Sequence, residues 1–242
     1  RELLLESSLQ GSPWGCDASL YSASRFAGPK FLLVGDAGSF IDPLSSFGIK
    51  KALASAWMAA VVVNTCLGCF EMTNVSLEFF SDRERHVYLS YLKKSTSFFA
   101  KAASRYSHPF WDERARPRVE ANLWLPNEEM LREDKEVLAA LDHLKQRKHL
   151  SLSASRAISV QKGAEIRGRK VVMGDVLVSP DVPGIRFLGG VDLPALVGIA
   201  AKYRQVPDLF EAYNRMCSPV ELPNFLGALS VLLAKKILVD RI

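Results

Sequence analysis

Among its 242 residues this chain has few cysteines, few histidines and no long apolar run. The longest apolar stretch, Ala52 to Val63, stops well short of the ~20 residues that cross a bilayer, and Lys50 and Lys51 lead into it. That predicts no membrane span. A secretory leader is also missing: the opening RELLLESSLQ mixes acidic and apolar residues. It begins with Arg, which suggests a piece of something longer or a removed start. Of the four cysteines, Cys16 and Cys217 stand alone, while Cys66 and Cys69 form a C-x-x-C. Zinc would need a second pair or histidines at ligand spacing, and none follows, so no metal site is expected. A redox pair belongs at a helix start, where the dipole lowers a thiol pKa, and this pair falls at a helix end. Buried, reduced thiols and a cytoplasmic location are the expectation. Nor is the charge one-sided. A net +5 from 31 basic and 26 acidic residues is too diffuse to argue for nucleic acid.

What is present is globular: 48% hydrophobic and 24% charged residues, enough for a buried core. The pattern predicts a helix-rich α/β (α+β) chain without repeats. Phe31 to Val34 (FLLV) reads as a short buried strand between Pro29 and Gly35. A loop follows, then a helix from about Ser46 to about Thr65 with Gly68 as C-cap. A longer helix spans about Val75 to Ser104, with Phe80, Val87, Tyr91, Phe98 and Ala102 inward and Asp82, Arg83, Glu84, Arg85, Lys93 and Lys94 outward. Residues 107 to 135 read as irregular, and Glu133 to Lys148 as an amphipathic helix. Ser-rich 151–163 reads as a linker. Beyond it, in 164–242, come short β runs, three helices (Leu193 to Ala201, Asp208 to Met216, Leu222 to Lys235) and a last strand at Ile237 to Val239. This tail reads as a small winged-helix-like module after a first domain of residues 1–150. The Leu222 helix presents Leu, Pro and Phe at its start, where a DNA-reading helix presents polar and basic groups, so packing or protein binding is expected of it.

The stretch FLLVGDAGSFIDPLSSFGIKKALASAW carries the chemistry. Asp36 ends a strand, where ligands of α/β sheets collect, and a carboxylate there either accepts from sugar-type hydroxyls or caps a turn. Pro43 stiffens the loop. With Ser46 as N-cap, the N–H groups of Phe47, Gly48 and Ile49 become first-turn donors, an arrangement suited to an anion. Gly48 lets a flat group approach the backbone, and Ala52, Ala54, Ser55 and Ala56 keep the helix surface low. A capped helix packed on a sheet uses the same residues.

GDAGSFIDPLSSFG resembles the second FAD-contact motif of the flavin monooxygenase and halogenase superfamily. Phe40, Pro43, Ser46 and Gly48 match the F-x-x-P-x-x-S-x-G pattern of flavin-dependent halogenases. The segment from Ser97 to Arg116, with His108, Phe110 and Trp111, resembles the helix and Phe-Trp loop over their substrate pocket. The resemblance covers about residues 15 to 120. It implies the C-terminal part of an FAD-binding oxidoreductase fold, with FAD bound by Gly35, Asp36, Ala37, Pro43, Phe47, Gly48 and Ile49. It further implies a halide held at Ser46, Phe47 and Gly48 and a substrate pocket at His108, Phe110 and Trp111. A separate flavin reductase that supplies reduced FAD is the implied partner. The aromatic loop leaves two roles for His108, acid–base chemistry or local packing.

The sequence also departs from the pattern. Halogenases acting on free tryptophan carry Glu at the position of Ser45 and a non-acidic residue at that of Asp36, so phenolic, pyrrolic or carrier-tethered aromatic substrates fit better. The chain contains no G-x-G-x-x-G, the first dinucleotide contact, and no W-x-W. No catalytic residue can be named, and the chain alone is expected to be inactive. A flavin hydroxylase and a non-catalytic remnant that binds a protein through its C-terminal module remain alternatives.

Overall fold

A computed structural model describes residues 8, 11–12, 14–15, 18–116, 134–179 and 182–241. The N-terminal half opens with four two-residue strands, β1 Tyr21–Ser22, β2 Ala27–Gly28, β3 Phe31–Leu32 and β4 Ser39–Phe40. They pair antiparallel as β1 with β4 and β2 with β3. The expected buried strand is therefore only a hairpin arm. Phe31 is exposed and Leu32 half-buried.

Helix α1, Gly48–Gly68, follows a single turn of 3-10 helix at Pro43–Ser45. Helix α2, Thr73–Ala103, packs against it after a short connection at Phe70–Met72, and α3, Pro109–Ala115, packs on α2, with Trp111 against Phe99. The core here joins Met58 and Val62 of α1 to Phe80 of α2, Phe26 and Val171. At 21 residues, α1 is long and apolar enough to cross a membrane by length and composition only, a test that the core helix of a soluble protein also passes. Its inner face is core, however, and buries Lys51, Ser55 and Thr65 with the hydrophobes. Its outer face leaves Ile49, Leu53, Trp57, Val63 and Leu67 exposed.

The inward face of α2 also differs from expectation. Phe80 is buried, but so are Ser76, Glu84, Ser90, Leu92, Ser95 and Phe99, while Phe98 is exposed. A helix of this length meets α1 with one end and α3 with the other, and small serines allow the close approach. Cys66 and Cys69 are free and only half-buried, at the helix end where the core thins.

Helix α4, Lys135–Gln146, is capped by Asp134, whose carboxylate accepts from the Glu136 and Val137 N–H groups and pairs with Lys235 at 2.8 Å. Where the sequence suggests a linker at 151–163, the chain forms β5, Leu152–Ala154, and begins β6, Ser159–Arg167. Leu150 and Leu152 are buried there, so the polar serines around them face outward. β6 forms a long hairpin with β7, Lys170–Ser179, which pairs in turn with β8, Val182–Ile185. A small ladder of β9, Phe187–Leu188, and β10, Val191–Asp192, leads into α5, Leu193–Ala200, then α6, Val206–Met216, and α7, Leu222–Ala234. The last strand, β11, Leu238–Asp240, returns to pair with β5.

A second core gathers α4, β5 and α5 to α7, with Phe225 and Leu229 of α7 fully buried. This matches the packing role expected of α7. Helix α4 thus joins this core, and the β6–β7 hairpin bridges both. Its Ala164, Ile166 and Val171 lie in the first core and Leu177 in the second. The hairpin is tied to α1 by Val171 N–H donating to Thr65 Oγ1 at 2.8 Å and by Asn64 Nδ2 donating to the Arg169 carbonyl at 2.7 Å. Inside the hairpin, Glu165 is buried against Arg167 and Arg186. Gly174 is obligatory opposite it, since a Cβ there would lie 2.3 Å from the Glu165 carboxylate.

Candidate functional site

Gly35, Asp36 and Ala37 form one turn of 3-10 helix laid across the first turns of α1. Gly35 has a φ of +60°, a region that favours glycine, and its Cα faces Ala52, where an added Cβ would come within 3.2 Å. Its N–H donates to Ser55 Oγ at 3.1 Å. Its carbonyl accepts from Lys51 Nζ at 2.9 Å. Ala52 and Ser55 are therefore the small residues that let the turn approach the helix, while Ala54 and Ala56 are exposed.

Lys51 is the residue that sequence reasoning missed. It is 4% exposed, near the start of an apolar helix. Its ammonium donates to the carbonyls of Gly35 and Ser39 and stands 3.8 Å from the Asp36 carboxylate. Burial pushes its pKa down, and the Asp36 and Glu84 charges oppose that shift. Glu84 of α2, expected on the solvated face, is 3% exposed, and one of its oxygens has no hydrogen-bond partner among the described residues. Burial raises its pKa, against the pull of the Ser55 hydroxyl and the Lys51 ammonium. The KK doublet and the acid four places after Phe80 were visible, but their spacing on two helices says nothing of their meeting.

Asp36 is held at its backbone, where the Tyr21 hydroxyl donates to its carbonyl, while its carboxylate is 57% exposed. An anchored backbone with an exposed carboxylate, only distantly paired with Lys51, suits an acceptor for ligand hydroxyls.

The loop into α1 corrects one expectation. Ser46 does not cap the helix. It adopts a left-handed conformation, φ 58°, and closes the Pro43–Ser45 turn by donating its N–H to the Pro43 carbonyl at 3.1 Å. Phe47 is the N-cap residue, and the hydroxyl that accepts from its N–H, at 3.3 Å, belongs to Ser45. Asp42 supports the turn by accepting from the Leu44 N–H at 2.9 Å. Among the described residues no hydrogen bond uses the N–H of Gly48 or Ile49, and a Cβ added at Gly48 would meet nothing within 4 Å. Two free donors, the positive end of a 21-residue helix and open space at Gly48 coincide. Phe47 stacks on Tyr91 with ring centroids 5.6 Å apart, and the ammonium groups of Lys50 and Lys94 lie 5.2 and 5.8 Å from its ring.

A cavity of roughly 270 Å³ lies beside this loop, lined among others by Asp42, Pro43, Leu92, Phe99, Phe110 and Arg114. Of the three aromatic-loop residues, only Phe110 lines it. Trp111 packs edge-on against Phe110, centroids 4.8 Å apart, and against Phe99 at 6.1 Å. His108 is exposed and caps α3, its Nδ1 accepting from the Phe110 N–H at 3.1 Å. That bond commits one ring nitrogen to structure. Among the described residues no group of His, Cys, Asp and Glu could hold a metal.

No family model matches the chain. It is similar to the flavin-dependent halogenase gsfI of Penicillium aethiopicum, 55% identical over 47 residues, which are 19% of this chain and 9% of that protein. It is also similar to the tryptophan 2-halogenase of Chondromyces crocatus, 36% identical over 92 residues, 38% of this chain and 17% of that protein. Among solved structures it resembles the peptidyl tryptophan dihydroxylase QhpG, essential for tryptophylquinone cofactor biogenesis (TM-score 0.54, 25% identity, 83% of this chain and 40% of that one). It also resembles CmlS, a flavin-dependent halogenase (TM-score 0.59, 14% identity), over 91% of this chain and 46% of that one. The chain thus spans less than half of either solved relative. The flavin-dependent halogenase-like character of the sequence, and a fold shared with these two solved proteins, stand on these matches.

Proposed function

We propose that this chain is the C-terminal part of an FAD-dependent oxidoreductase of halogenase-like type, and that it supplies one wall of the flavin site. The observation that carries this reading is the union of an anchored turn with an exposed Asp36 carboxylate and the unengaged N–H groups of Gly48 and Ile49 at a loop that lines a cavity. When bound, the flavin would supply the oxygen chemistry. This chain's residues bind and orient. Asp36 accepts from flavin hydroxyls, with Gly35 and Ala37 shaping the turn. Pro43 borders the ring system. The N–H groups of Gly48 and Ile49, at the helix terminus entered through Phe47, stabilise negative charge on the ring or hold a halide beside it. Ser46 shapes that corner by its left-handed backbone and does not act through a cap.

The cavity would hold an aromatic or carrier-tethered substrate under Phe110, with Trp111 and His108 supporting that roof from behind. A flavin reductase as partner, a cytoplasmic location and the lack of turnover by this chain alone belong to the same proposal. A hydroxylase is the second reading, favoured by the 25% identity with a dihydroxylase across most of the chain. The test uses the longer protein with reduced FAD, oxygen and bromide, and monochlorodimedone as acceptor. Brominated product above a free-peroxide control supports the halide route. Peroxide release with hydroxylation of an aromatic panel moves the assignment to a hydroxylase.

A further inference from the structure

The cavity beside the Pro43 loop carries charge that the reading above does not use. Its walls are mainly apolar, from Pro43, Leu92, Phe99 and Phe110, and the guanidinium of Arg114 is set among them. Arg114 sits one turn after Phe110 on α3. Its guanidinium carbon lies 3.9 Å from the Phe110 ring centroid, and its Nη1 donates to the Phe110 carbonyl at 3.3 Å. Among the described residues it has no carboxylate partner. A half-buried guanidinium stacked on a ring keeps free N–H groups in a fixed plane, a geometry suited to a carboxylate. On the same walls Ser95 is buried.

We infer that this pocket selects a flat aromatic ligand bearing one carboxylate, with the ring between Leu92, Phe99 and Phe110 and the carboxylate on Arg114. This rests on the substrate-pocket reading above and narrows its substrate class. The other charged wall residue, Asp42, sets the ligand's charge. With Arg114 the cationic and Asp42 the anionic residue of the lining, a monoanion is accommodated and a dianion such as a phosphate monoester is disfavoured. The cavity volume is just below the range typical of drug-sized ligands, which fits one or two fused rings.

The test is calorimetric titration of the 242-residue chain with benzoate and 3-phenylpropanoate, each against its neutral amide, and with phenyl phosphate. The expected result is carboxylate binding at least about tenfold tighter than the amide, with phenyl phosphate no better than the amide. That preference falls to within about twofold in Arg114→Gln. Arg114→Lys restores part of it, and Phe110→Leu weakens acid and amide alike. Equal affinity for acid and amide, no binding of either in the millimolar range, or a preference that survives Arg114→Gln overturns the inference. FAD titration of the longer protein is a separate readout. The flavin reading can fail there while the carboxylate preference stands, and the reverse.

Discussion

Replacing Lys51 with Met should be among the most damaging single changes in the N-terminal half. The ammonium donates to two backbone carbonyls, those of Gly35 and Ser39, and is 4% exposed. Without it both acceptors are stranded, at about 1–3 kcal/mol for each buried group left unpaired. Glu84 also loses a nearby cation whose charge opposes the rise of its pKa. The turn can relax toward water, so the expected loss is about 2–4 kcal/mol in urea unfolding followed by circular dichroism. Glu84→Gln in the same background should recover part of it by removing the orphaned charge. The pH dependence gives an independent reading. Burial raises the Glu84 pKa above its ordinary 4.5, so the folded state holds that proton more tightly than the unfolded chain. Stability contributed by this group is therefore greatest below 4.5 and falls as pH rises through the raised folded value. Glu84→Gln should flatten that fall. A Lys51→Met loss under about 1 kcal/mol would refute the anchoring role of the lysine, and a double variant no better than the single would refute its electrostatic coupling to Glu84.

Asp36→Ala should cost the longer protein about 1.5–3 kcal/mol of FAD affinity, measured by fluorescence quenching, through loss of a charged acceptor. It should barely move stability, because that carboxylate is mostly solvated and its pairing with Lys51 is worth little there. Gly48→Val should leave the melting curve almost unchanged, since a side chain there meets nothing within 4 Å, yet abolish FAD binding. An unchanged FAD titration would remove Gly48 from the site. Ser46→Gly should stabilise the fold by up to about 1 kcal/mol by relieving a left-handed serine, as read by thermal denaturation. Leu53→Glu with Leu67→Glu should suppress concentration-dependent association of this chain in analytical ultracentrifugation, because both lie on the exposed apolar face of α1.

Helices were legible where periodicity and punctuation agreed. The expected Leu193 to Ala201 and Leu222 to Lys235 segments appear at Leu193–Ala200 and Leu222–Ala234, each with Pro in its first turn. Strands were less so. The β6 strand begins inside a Ser- and Lys-containing stretch because its first residues face solvent on both sides, and only Glu165 is buried along it. Local polarity cannot distinguish such a hairpin arm from a linker. Its pairing along the whole of β7 decides the matter, and that information lies in residues 170 to 179.

The site divides along the same physical line. The GDA turn, the Pro43 loop and the free donors at Gly48 and Ile49 are contiguous, so short-range chemistry exposes them. Even there, the cap differs from the expectation: the helix starts from Phe47 and not from Ser46. Ser45 and Ser46 are chemically equal, and only the turn at Pro43 decides which hydroxyl reaches the Phe47 N–H. Lys51, Glu84 and Arg114 are of another kind. Each sits at a helix position where charge ordinarily faces water, and each is drawn inward by a neighbour 12 or more residues away or by the cavity wall. A charged side chain is retained in such a place only if its partners there offset the loss of hydration. For Lys51 those partners are backbone carbonyls of the very turn that presents Asp36. The lysine's position therefore follows from the geometry of the proposed flavin turn, and a protein that kept the turn but replaced the lysine would need another donor for the Gly35 and Ser39 carbonyls.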